Sequence, residues 1–137
     1  MRVDGGSDSS TKNERCLDAY HLCLRPDGIV KVAILDQAHV TEAASIALNK
    51  AIREVAGDRL PARIMVDITA PHRTDVGARR YGTSPAAVEI TRRLALLTNS
   101  PVTRMMGNAF LLAKRPPYPT RLFSDEQNAS VWLLQDS

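Results

Sequence analysis

Asp67, His72 and Thr74-Asp75 stand within nine residues of one another, and these side-chain types can carry acid–base or phosphoryl chemistry. Asp67 ends an apolar run, Ile64-Met65-Val66, and the carboxyl ends of buried strands are where open α/β sheets bind ligands. The competing reading is a carboxylate bonded to the N–H groups of the following loop or to an arginine. His72 has the chemistry of a general base, which requires an orienting partner and a nucleophile within reach. Asp67 and His72 acting on an anionic substrate is the enzymatic reading. Thr74 either carries a phosphoryl group at a helix start, beside Arg73, Arg79 and Arg80, or is an N-cap worth about 1 kcal/mol.

The arginines form the largest constellation: Arg73, Arg79, Arg80, Arg92, Arg93 and Arg104. Guanidinium groups on loops and helix starts can receive phosphate or carboxylate bidentately. They can equally form a solvated face paired with acids from elsewhere. Only Asp75 and Glu89 lie nearby, because residues 71–121 hold nine basic and two acidic residues, net +7. Residues 16–70 are net −1 and residues 122–137 net −3, so the overall +3 is concentrated centrally. Basic residues do not interleave with aromatics, and no nucleic-acid-binding motif is present, so no nucleic-acid partner is expected.

Metal and thiol chemistry have little support. His21, His39 and His72 are scattered, and Cys16 and Cys23 have no zinc-ligand spacing, so neither metal nor cofactor is expected. Seven residues apart on an extended strand, the cysteines would point to opposite faces and stay unpaired. They read as buried or half-buried thiols of a cytoplasmic protein.

The chain has 137 residues, 44% apolar and 24% charged, which suits one folded domain and excludes a large multidomain enzyme. No apolar run approaches the roughly 20 residues of a membrane span, and MRVDGGSDSSTKNER lacks the apolar core of a secretory signal. Residues 1–15 read as a flexible tail and residues 16–137 as the domain.

Within the domain, Tyr20, Leu22 and Leu24 alternate, as do Val30, Val32 and Ile34. Pro26-Asp27-Gly28 between them makes a hairpin. Thr41 caps a helix to Ala56 with Ala44, Leu48, Ala51, Ile52 and Val55 on one face. Arg63 to Ile68 reads as a strand buried on both faces. A helix capped by Thr74 carries Arg79, Arg80 and Tyr81, and Ser84-Pro85 either restarts it or begins a second one through Ile90. Leu94 to Leu97 is a strand, Ser100-Pro101 starts a helix to about Ala113, and Pro116-Pro117 stops it. Arg121 to Phe123 is strand-like, and Ser124 with Gln127 forms a capping box for the last helix, which presents Ala129, Trp132 and Leu133. The order is ββαβαβαβα, an α/β mixed sheet with helices packed on it. Phe110, Phe123 and Trp132 read as core. Met105, Met106 and Tyr118 remain open between core, pocket lining and dimer face.

This order resembles STAS domains, the group of SpoIIAA-type anti-sigma factor antagonists, and more closely the small bacterial STAS/SEC14-like proteins. The resemblance rests on Val66-Asp67-Ile68, Thr74 to Arg80, Asn108-Ala109-Phe110, Lys114 to Phe123 and Ala129 to Leu133, and it covers about residues 18–135. It implies a SpoIIAA-like fold and a non-enzymatic regulatory module that works through protein–protein contacts near residues 69–80, with a possible homodimer. Such antagonists carry a phosphorylatable hydroxyl in an Asp-Ser-Ser-Gly-like turn. The matching stretch is Thr69 to Gly77, which makes Thr69 and Thr74 the regulatory candidates, although Pro71-His72-Arg73 replaces the motif. Asp67, His72, Arg73, Arg79, Arg80 and Tyr81 are the candidates for partner or ligand contact. The SEC14 side of the resemblance implies an alternative, a small anionic ligand or lipid in an apolar pocket rimmed by arginines.

Overall fold

The computed structural model describes residues 13–135. The hairpin strands are β2 (Tyr20–Leu24) and β3 (Ile29–Ile34), preceded by β1 (Glu14–Cys16). The Asp27 carboxylate accepts from the Ile29 N–H, and Gly28 takes φ +91°, a conformation that favours glycine. Three elements follow: β4 (Ala38–Val40), α1 (Glu42–Ala56) and a 3₁₀ turn at Gly57–Arg59. Next come β5 (Ala62–Asp67), β6 (His72–Thr74), α2 (Val76–Tyr81), α3 (Pro85–Ile90) and β7 (Thr91–Leu97). The chain closes with α4 (Pro101–Lys114), β8 (Thr120–Phe123) and α5 (Glu126–Leu133).

Six strands form one sheet in the order β1-β2-β3-β5-β7-β8. The β1–β2 and β2–β3 pairs are antiparallel, and β3, β5, β7 and β8 run parallel. Strands β4 and β6 form a separate parallel pair. The expected ββαβαβαβα order is therefore present, with β1, β4 and β6 added.

Both faces of the sheet are buried, which explains the nearly continuous apolar run of β5. Ile64 joins Leu22, Val30 and Val32 against Ala51, Ile52 and Val55 of α1. Met65 turns the other way, onto Ile29, Ala95, Leu97, Ala129 and Leu133. Leu22 is fully buried, so truncating it to alanine costs about 2–5 kcal/mol.

Three expected caps form. The hydroxyls of Thr41, Ser84 and Ser100 accept from the N–H groups of Ala44, Ala87 and Thr103. Two do not. Thr74 belongs to β6, and α2 is capped by Asp75, whose carboxylate accepts from Ala78 N–H at 2.9 Å. Likewise Asp125, not Ser124, caps α5, accepting from Asn128 N–H at 2.8 Å, so the expected capping box is not formed. A carboxylate at the positive end of a helix gains from the dipole as well as the hydrogen bond.

The expected tail overlaps β1: residues 1–12 lie outside the described residues, but Glu14 and Arg15 pair with β2. That pairing also corrects the cysteine reading. Cys16 lies opposite His21, and Cys23 lies opposite Glu14, so the two thiols share a face on adjacent strands. Both are free, Cys23 is half-buried, and Cys16 is exposed, not buried. Phe123 is core, and Trp132 packs half-buried against it. The Phe110 side chain lies outside the described residues. Strand β7 starts at Thr91, three residues before the expected Leu94.

Candidate functional site

The connections after β3 and β5 leave the carboxyl edge of the parallel strands, where ligand sites of open α/β sheets form. Asp67 ends β5 between Ala33 and Leu97 of the flanking strands. Its Oδ1 accepts from both the N–H (3.0 Å) and the hydroxyl (2.7 Å) of Thr69. His72 bonds through Nδ1 to the Ala70 carbonyl at 2.7 Å, so this nitrogen carries the proton. Asp67 and His72 do not bond each other; each is tied to its own loop. Nothing here orients His72 as a base toward a nucleophile, which the enzymatic reading requires.

Strands β4 and β6 fix the rest of the loop. Gln37 N–H donates to the Pro71 carbonyl, His39 pairs in register with Arg73, and Asp75 N–H reaches the Val40 carbonyl. His39 approaches the Asp75 carboxylate only to 3.9 Å. The Arg79 guanidinium donates back to the Thr74 carbonyl at 2.8 Å. Arg73 and Arg80 are exposed, and among the described residues neither guanidinium has an ionic partner. Val76, the first residue of α2, is 60% exposed beside them in sequence.

The two candidate hydroxyls differ. Thr69 is exposed, and its hydroxyl donates to Asp67. A phosphoryl group there would lose this bond and face a carboxylate, a like-charge contact. Thr74 is half-buried in β6.

Tyr81 leads away from this loop into an apolar cavity of 140 Å³ under α1, α2 and α3, with Leu48, Ile52, Ile64, Val66 and Leu94 among its walls. No arginine lines it, which differs from the arginine-rimmed pocket expected. The reason is topological: Arg73, Arg79 and Arg80 follow the loop and the outer side of α2, while the cavity lies beneath. Pockets for drug-sized ligands span about 300–1,000 Å³, and this one falls below that range. Tyr118 closes one side by donating its hydroxyl to the Gly82 carbonyl, and burial pushes that hydroxyl's pKa up. Met105 and Met106 line no part of it; at 69% and 68% exposure they are surface residues of α4, not core.

The arginine constellation is dispersed. Arg73, Arg79 and Arg80 stand at the carboxyl edge and Arg104 on α4. Arg93 is buried at 8% exposure, stacked 4.9 Å from the Trp132 ring centre and donating to the Trp132 carbonyl. Arg92 lies at the opposite, amino edge with Arg59 and Arg63, two residues that segment-by-segment charge counting overlooks. A signal for Arg63 existed: a charged residue opening a strand buried on both faces needs a partner. Among the described residues no group of histidine, cysteine and acidic side chains has a metal-holding arrangement. Nor is any helix long and apolar enough to cross a membrane.

A family model described as Domain of unknown function (DUF7793) matches residues 22–136. The chain belongs to this family. Among curated proteins, none matches. Among solved structures, the chain is similar to an uncharacterized protein of the DUF3478 family with a SpoIIAA-like fold, from Shewanella loihica PV-4. The TM-score is 0.59 at 16% identity, over 84% of this chain and 92% of that one. A protein of unknown function from Arthrobacter sp. FB24 is 28% identical over 84% of this chain and 99% of that one, with a TM-score of 0.28. The first likeness shows a SpoIIAA-like fold, as the order of elements implied.

Proposed function

We propose that the chain is a non-enzymatic interaction module that docks a protein partner with an acidic surface at the face from Thr69 to Arg80. The observation that carries this reading is the pair of exposed guanidiniums, Arg73 and Arg80, without ionic partners among the described residues, with Val76 60% exposed beside them in sequence. Charge complementarity of this kind steers association and selects partners. The SpoIIAA-like fold supports the same reading. The carboxylate and imidazole at this edge serve their own loops, which leaves its guanidiniums and Val76 as the groups offered outward.

The test is capture from the source cell followed by reconstitution with the purified partner. Arg73→Glu with Arg80→Glu should weaken the reconstituted complex at least tenfold, and added salt should weaken the wild-type complex. Equal affinity of the double variant, or a partner without an acidic surface, would refute the reading.

A further inference from the structure

The amino edge of the same sheet holds a second cluster, and its chemistry differs. Arg59 ends the 3₁₀ turn before β5, Arg63 lies at the start of β5, and Arg92 lies at the start of β7. All three line one hollow of 310 Å³, together with Asp27, Gly28 and Asp58.

The backbone brings them there by identifiable devices. Ala62 pairs with Thr91 and Arg63 with Arg93, so Arg92 is skipped in the ladder. Such a bulge re-aims one side chain. Here it separates the neighbours: Arg93 goes under Trp132, while Arg92 lines the hollow. Gly28 provides the space for Arg59, since a Cβ there would stand 2.8 Å from an Arg59 guanidinium nitrogen.

The charges do not cancel locally. Asp27 is already engaged, by Arg25 at 2.6 Å and by the Ile29 N–H. Asp58 forms no ion pair with any of the three arginines among the described residues. The Nε of Arg63 is buried with no hydrogen-bond partner there. The Nε of Arg93, under Trp132, is buried and unpartnered in the same way, so the ligand would be met by the guanidinium N–H groups that face the hollow, through charge-assisted hydrogen bonds. Three arginines around one hollow match in number the three oxygens of a phosphoryl group. The Asp58 carboxylate, an acceptor only, suits the hydroxyl of a protonated phosphate.

We infer that the hollow lined by Arg59, Arg63 and Arg92 is a binding site for the phosphoryl group of free phosphate or of a small phosphate monoester. It lies at the opposite sheet edge from the docking face and does not depend on it.

Calorimetric titration of the full chain with inorganic phosphate, and separately with glycerol 3-phosphate, at constant ionic strength, tests this. Saturable binding of at least one is expected, and the tighter of the two identifies the source. Arg59→Gln and Arg92→Gln, both at exposed positions, should each weaken binding about tenfold or more. Arg80→Gln should leave it unchanged. No saturable binding of either compound, or binding that survives both Arg59→Gln and Arg92→Gln, would overturn the site.

Discussion

The two edges of the parallel sheet use charge in opposite ways. At the carboxyl edge, the side chains best suited to chemistry are spent on local structure. Asp67 holds Thr69, His72 holds the Ala70 carbonyl, Asp75 caps α2, and Arg79 holds the Thr74 carbonyl. At the amino edge, Arg59, Arg63 and Arg92 line one hollow and form no ion pair among the described residues. The lesson concerns where to look: in the loop the carboxylates and the imidazole are bonded locally, whereas the turn before β5 brings its arginines to one hollow.

This contrast can be broken most directly by removing a carboxyl-edge partner. Asp67→Ala should cost about 0.5–1.5 kcal/mol in urea unfolding, since two donors of Thr69 exchange their acceptor for water. Unchanged stability would mean that Asp67 is not structural, and the contrast between the edges would fail. Asp75→Ala comes next, at about 1 kcal/mol for a lost helix cap. Thr74→Val should cost less than that, because Asp75 holds the cap.

A further effect is confined to alkaline pH. Burial raises the pKa of Tyr118 and of Tyr20 above 10.0, so the folded state keeps their protons longer than the unfolded chain. Their contribution is fully present below pH 10 and is lost as pH rises through the folded pKa values. Stability measured from about pH 9 to 12 should fall only above pH 10, in step with tyrosinate absorbance. Tyr118→Phe should flatten that fall. A fall already complete below pH 10 would show that other groups control it.

The smallest effect belongs to the amino edge. Arg92→Gln should change stability by no more than about 0.5 kcal/mol in phosphate-free buffer, because the exposed guanidinium makes no bond among the described residues. A loss above about 2 kcal/mol would reveal a structural role and erase the difference between the edges.

The fold was legible wherever periodicity or a turn had a direct physical cause. Gly28 makes its turn, the α1 stripe faces the core, and Thr41, Ser84 and Ser100 cap as their positions imply. Both misplaced caps share one form, a hydroxyl residue followed by aspartate. In each case a strand reaches the hydroxyl residue or ends just before it, and the aspartate takes the cap. Strands β1, β4 and β6 have three residues each, too short to show alternation. The amino-edge cluster was hidden for two reasons. Arg59 and Arg63 lie in a stretch with net charge −1, and a bulge that splits Arg92 from Arg93 leaves no mark in the residue pattern.

One measurement separates the two edges in a single sample: the arginine Nε–H resonances followed by NMR as phosphate is added. The expected result is a saturable shift at Arg63, Arg59 and Arg92, with Arg73, Arg79 and Arg80 unmoved. Shifts confined to Arg73, Arg79 and Arg80, or no saturable shift anywhere, would contradict the assignment of the anion site to the amino edge.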